Sequence, residues 1–176
     1  RQGQAPTIPG VQIADIGGGA LYAAIGILLA LRARDQSGIG QYVDTSMLDG
    51  AVSWLPIAAS DYFMTGEPPK PGSAMLLGRN ACYEVYETKD GRFISIGAVE
   101  PHLWANFCEK IQKPEYIEWQ RVVEKQPEMF QTLRALFKTK TQAEWCEFLK
   151  DVDCCWAPVL QLDEVFQNPQ IQARDM

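Results

Sequence analysis

Asp15-Ile16-Gly17-Gly18-Gly19 sets a carboxylate ahead of three residues without side chains, where a long apolar segment begins. Free amide groups at a helix mouth favour an anion or a developing oxyanion, and glycines allow a ligand to approach the backbone closely. The plainer reading is an N-cap aspartate followed by glycines chosen for close helix packing, and the residues alone favour it. Glu100 is the second candidate. It stands between the apolar run Arg92–Val99 and Pro101, and a carboxylate at a strand-to-helix turn can serve as an acid or base. It can equally be an ordinary first-turn helix residue, which is again the simpler choice. Arg79 could hold an anionic group or be a solvated loop arginine, and His102 reads as an exposed first-turn residue. No Ser/His or Cys/His nucleophile signature accompanies that single histidine, and the glycine run lacks the spacing of a phosphate-binding loop.

The elements that must carry these residues follow from the pattern. Ile16–Leu31 has no charged side chain and ends at Arg32, Arg34 and Asp35. It predicts a helix buried on most faces, capped by Asp15 and stopped by Ser37–Gly40; it is short for a membrane span. Gln41–Ser46 predicts a short strand. Asp49 predicts the cap of a second helix, roughly Gly50–Thr65, kinked at Pro56 and stopped at Gly66. The proline-rich stretch 67–73 reads as a linker. Beyond it, two alternating runs flank Lys89-Asp90-Gly91, which predicts a β-hairpin packed by Tyr83, Tyr86 and Phe93. A helix should follow from Pro101. Thr141 and Glu144 form a capping-box pattern ahead of Trp145, Phe148 and Leu149. Cys154–Leu160 reads as a strand, and Asp163 and Asn168-Pro169 open two short helices.

Composition bounds the function. Of 176 residues, 47% are hydrophobic and 22% charged, as in an ordinary folded soluble protein. Sixteen basic against 22 acidic side chains give a net charge of −6, which disfavours a general nucleic-acid binder. Five cysteines without a CxxC pair, beside one histidine, disfavour a zinc site and a disulfide framework and fit a reducing, cytoplasmic compartment. The chain opens at Arg1 on a polar, turn-rich segment with no secretory pattern, and its last residues read as an interrupted helix. Both ends read as cut, so a piece of a longer chain is expected.

Three stretches, Asp15–Gly50, Cys82–Trp104 and Cys154–Met176, together resemble the family III CoA transferases, the CaiB/BaiF family. The resemblance implies an α/β fold made of two parts. Residues 1–66 would be the later part of a Rossmann-like large CoA-binding domain, 67–73 a linker and 74–160 a small α+β domain. Residues 161–176 would begin a return linker or helix. It also implies an interlocked homodimer for the full-length protein, with most CoA contacts ahead of Arg1.

In that resemblance Asp15 matches the family's catalytic aspartate. The transferase branch uses it as a nucleophile on an acyl-CoA thioester, passing through an anhydride and an aspartyl-CoA thioester. The α-methylacyl-CoA racemase branch uses it as an acid/base opposite a histidine supported by a glutamate, with an enolate held by hydrogen-bond donors. Gly17, Gly18 and Gly19 would suit such donors in either branch. Gly97-Ala98-Val99-Glu100-Pro101 matches the racemase-like glutamate motif, whereas the stretch 71–82 lacks the glycine run of formyl-CoA-type transferases. The racemase branch is therefore preferred, with CoA transfer to an acceptor carboxylate as the alternative and a non-catalytic interaction module as the rival from another class. CoA would arrive as part of the substrate, with no permanently bound cofactor, metal, nucleic acid or membrane.

Overall fold

A computed structural model describes residues 7–74 and 76–176, and the chain divides between Lys70 and Pro71 into two units. In the first, a π-helical segment, Ile13–Ala20, runs directly into helix α1, Leu21–Ser37. The helix thus starts earlier than the sequence predicts. Gln12 holds the cap position without a side-chain bond, and Asp15 lies in the first turn instead of capping it. Helical bonding has already begun upstream of the aspartate, since the Ile16 amide donates to the Gln12 carbonyl at 3.0 Å. The glycines are therefore inside the helix and not at its mouth. The predicted stop holds: Gly38 adopts φ +73°, and its amide closes on the Arg34 carbonyl at 2.7 Å.

The expected burial of this helix does not hold within the unit. No residue of α1 is buried, and Leu28 and Leu29 are 67% and 64% exposed. Apolar residues go all round the helix, and within the unit it meets partners at the π-helical start, at Tyr22 and at Gly26. By length and composition alone, Ile13–Ser37 is long and apolar enough to cross a membrane. Residues 41–46 form no strand, because a strand needs a hydrogen-bonded neighbour and this unit has none among the described residues.

Helix α2, Met47–Ser53, is capped by Ser46 and not by Asp49. The Ser46 backbone is extended, as an N-cap requires, and its Oγ accepts from the Leu48 and Asp49 amides at 3.2 and 3.4 Å. Pro56 does more than kink a helix: it opens a separate one, α3, Pro56–Thr65, from its first position. Gly66 ends α3 at φ +74°.

The second unit holds a three-stranded antiparallel sheet in the order β1 (Tyr83–Glu87), β2 (Phe93–Gly97), β3 (Trp156–Pro158). The hairpin turns at Asp90-Gly91, with Gly91 at φ +74°. The strand expected over residues 154–160 is only three residues long. One sheet face carries Tyr86, Ile94 and Ile96 into the core; the other keeps Tyr83, Val85 and Phe93 partly open. The core is closed by α4 (Pro101–Lys110), α5 (Gln126–Phe137) and α6 (Gln142–Leu149), with short 3₁₀ turns at Pro114–Tyr116 and Val123–Lys125.

Phe137 is its hub, with ring centroids 4.7 Å from Tyr86, 4.6 Å from Trp145 and 6.2 Å from Phe107. Buried polar tips find carbonyls: Trp104 Nε1 donates to Tyr116 at 2.7 Å, and Trp145 Nε1 to Phe137 at 2.8 Å. The capping box at Thr141 and Glu144 is present in both directions. Residues 161–176 form α7 (Leu162–Gln167) and α8 (Pro169–Ala173), which group with this unit. Arg92 grips Glu164 through two guanidinium bonds of 2.9 and 2.6 Å.

Candidate active site

The two candidate carboxylates fall in different units. Asp15 projects from the first turn of the π-helical segment and is exposed, and its carboxylate makes no hydrogen bond or ion pair among the described residues. What holds its turn is a close approach to α2. A Cβ on Gly18 would sit 2.8 Å from the Met47 carbonyl oxygen and 3.0 Å from the Ala51 nitrogen. A Cβ on Gly50 would fall on the Gly18 carbonyl, and one on Gly17 would enter the indole of Trp54. Gly19 faces the Met47 side chain. The three glycines thus pack closely against α2 and Trp54, while the cap position that the plainer sequence reading gave Asp15 falls to Gln12. One helix turn beyond them, the Tyr22 hydroxyl lies 2.8 Å from Ser53 Oγ, and Ser53 Oγ donates to the Gly50 carbonyl at 2.7 Å.

Glu100 occupies the N-cap position of α4 with an extended backbone, and its side chain makes no capping bond. Its carboxylate is exposed. The approach to it is fixed from behind. Gln120, 7% exposed, donates from Nε2 to the carbonyls of both Ala98 and Val99 at 3.0 Å. Gln126 in turn donates to the Gln120 carbonyl at 3.2 Å, so a buried amide network sets the turn that presents Glu100.

Beside this turn, on the open sheet face, is a groove of about 450 Å³ lined chiefly by Leu77, Tyr83, Val85, Gly97, Cys155 and Trp156. The lack of a side chain at Gly97 shapes it, since a Cβ there would meet Cys155 Sγ at 3.3 Å. Cys155 adopts φ +50° and is exposed, whereas Cys154 is buried and burial pushes its thiol up to about 11. Cys108, also buried, is pushed up to about 12, so these two thiols are packing groups. Arg79 is exposed in the loop before β1, and His102 is exposed in the first turn of α4. Among the described residues, no group of three or more His, Cys, Asp or Glu side chains could hold a metal ion.

Sequence reasoning did not reach Tyr22, Gly50, Ser53 and Trp54 around Asp15, or Gln120 behind Glu100. Gly50, directly after Asp49 and inside a helical pattern, was the available signal, because a glycine there usually marks a close backbone approach.

The chain thus combines helices with a small antiparallel sheet, and it carries an exposed aspartate on a glycine-packed turn and an exposed glutamate at the N-cap of α4. The family described as CoA-transferase family III matches residues 1–176, and the chain belongs to that family. The alpha-methylacyl-CoA racemase of Mus musculus is 33% identical over 99% of this chain and 46% of its own length. The acetyl-CoA:oxalate CoA-transferase of Acetobacter aceti is 28% identical over 96% of this chain and 44% of its own. A CAIB/BAIF family protein from Brucella suis superposes with a TM-score of 0.73 at 25% identity, covering 99% of this chain and 47% of that one. The chain therefore spans about half the length of the relatives it matches.

Proposed function

We propose that the full-length protein is an acyl-CoA enzyme of the racemase type, exchanging the α-proton of a 2-methylacyl-CoA thioester. The observation that carries this reading is Glu100, exposed at the N-cap of α4 in the run Gly97–Pro101, the first residue of which also lines an apolar groove that suits a branched acyl chain. The similarity to the mouse racemase at 33% supports the same branch. In this reading Asp15 takes the α-proton, the C–H electron pair moves onto the thioester oxygen as an enolate, and reprotonation on the opposite face inverts the centre. Glu100 takes the supporting-glutamate role of that branch. Donors to the enolate come from the neighbourhood of the Gly17–Gly19 turn, and Arg79 contributes charge to the CoA moiety. The substrate carries the CoA, and no permanently bound cofactor or metal takes part. The protein works as a homodimer in the cytoplasm, with α1 buried by the remainder of the large domain and not by lipid.

The second reading is CoA transfer between carboxylic acids with Asp15 as the nucleophile. Similarity to the acetyl-CoA:oxalate enzyme supports it. The test is incubation of the full-length protein with a chiral 2-methylacyl-CoA and an acceptor carboxylate in deuterated water, followed by mass spectrometry. Deuterium at the α-carbon without acyl exchange supports the racemase. CoA on the acceptor without α-exchange replaces it with the transferase. An active, folded Asp15→Asn variant removes Asp15 from both mechanisms, and neither α-exchange nor CoA transfer by the full-length protein leaves the interaction module.

A further inference from the structure

The segment that carries Asp15 is not an ordinary helix start. It is π-helical over eight residues, with i→i+5 closure visible where the Leu21 amide donates to the Ile16 carbonyl. Such wide turns are rare and need a local cause. Here the cause is the approach of α2: Gly18 and Gly50 meet backbone to backbone, and Trp54 covers Gly17, leaving no room for a side chain at any of the three. The contact is then tied by a directed relay. Ser53 has one hydroxyl proton and gives it to the Gly50 carbonyl, so Tyr22 must donate to Ser53. Tyr22 lies seven residues beyond Asp15 along the same continuous helix, and the relay ends on the residue that touches Gly18. The wide turn is held at the glycines and again three residues beyond them, at Tyr22.

We infer that Tyr22 and Gly50 are positioning residues for Asp15: the Tyr22–Ser53–Gly50 relay and the Gly18–Gly50 contact hold the π-helical turn that aims the carboxylate. This rests on the proposed role of Asp15 and adds what sets its direction. A carboxylate that attacks or abstracts must be held to within a fraction of an ångström, and a displacement of about 1 Å can cost about a hundredfold in rate. Relaxing the turn should therefore lower kcat and spare substrate affinity, because neither residue contacts the CoA moiety in this reading.

The experiment uses the full-length enzyme, with α-proton exchange and CoA transfer followed together by mass spectrometry. Tyr22→Phe, which keeps the ring and loses only the donor, is expected to lower kcat about three- to tenfold with KM within twofold and the melting temperature unchanged. Ser53→Ala should match it, and the Tyr22→Phe/Ser53→Ala double variant should be no worse than either single, since the two act as one relay. Gly50→Ala should lower kcat about a hundredfold. Tyr22→Phe and Ser53→Ala are the decisive pair should the Gly50 variant not fold. Wild-type kcat in both, or losses in kcat that track losses in melting temperature and KM, would overturn the inference. Asp15→Asn separates the layers. If it is inactive while the relay variants are normal, only the positioning role falls; if it is active, the assignment of Asp15 falls and the positioning role with it.

Discussion

The two units put similar apolar content to different use. Every buried hydrophobic side chain of the core lies between Ala81 and Cys154, in the second unit, around Phe137. Among the described residues of the first unit only glycines, Gly17, Gly18 and Gly50, are buried, and α1 and α3 bury nothing. The second unit closes a core from its own residues. The first joins two helices by backbone contact, with Trp54 and Met47 against its glycines, and leaves its large apolar side chains mostly exposed. A hydrophobic helix is thus no sign of a complete core; what matters is whether the same stretch of chain also supplies the surfaces that cover it.

The largest test of that contrast is to express the units apart. Residues 71–176 should unfold in one cooperative transition by circular dichroism, whereas residues 1–70 should melt without one and bind a hydrophobic dye. A cooperative melt from residues 1–70 would erase the comparison. Within the whole chain, Phe137→Ala should cost about 3–5 kcal/mol in urea denaturation, since it removes a fully buried aromatic. Thr141→Ala should cost about 1 kcal/mol by removing the hydroxyl that accepts from the Glu144 amide at the start of α6. Leu28→Ala, equally apolar but exposed in α1, should change stability by no more than about 0.5 kcal/mol.

The smallest effect is electrostatic and also belongs to the second unit. Glu164 is held below the usual carboxylate range by Arg92, Asp90 by the Thr88 hydroxyl and Glu144 by the Thr141 amide. Folded-state values below the unfolded ones mean that the unfolded chain binds more protons in this range. Their stabilisation is complete above about pH 4, the unfolded carboxylate value, and is lost as pH falls through the lower folded values. Melting temperature should therefore drop between about pH 5 and pH 3, and Arg92→Met should flatten that drop slightly, as all three carboxylates are solvent-facing. A steeper drop in Arg92→Met than in the parent would contradict the assignment.

What could be read from the residues was local. Asp90-Gly91 between alternating runs gives the hairpin, Thr141 with Glu144 gives the start of α6, and Gly38 and Gly66 stop their helices at positive φ. The division between Lys70 and Pro71 falls inside the proline-rich stretch 67–73. Local signals failed where a choice between near-equals depended on the surroundings. Ser46 displaced Asp49 as a cap because the chain is extended at Ser46. Pro56 opened a helix of its own where a kink was expected.

The sequence by itself determined the hairpin turn, the capping box at α6 and the helix stops at Gly38 and Gly66, and it marked Asp15 and Glu100 as candidates, because each depends on a few neighbouring φ/ψ choices and side chains. Only the tertiary structure decided what stands behind those residues. Gly18 and Gly50 are 32 positions apart, and Ala98 and Gln120 are 22 apart. No periodicity or propensity encodes a contact at such range. It exists because packing two helices at backbone distance excludes every Cβ, and because a buried amide must find carbonyls to satisfy it.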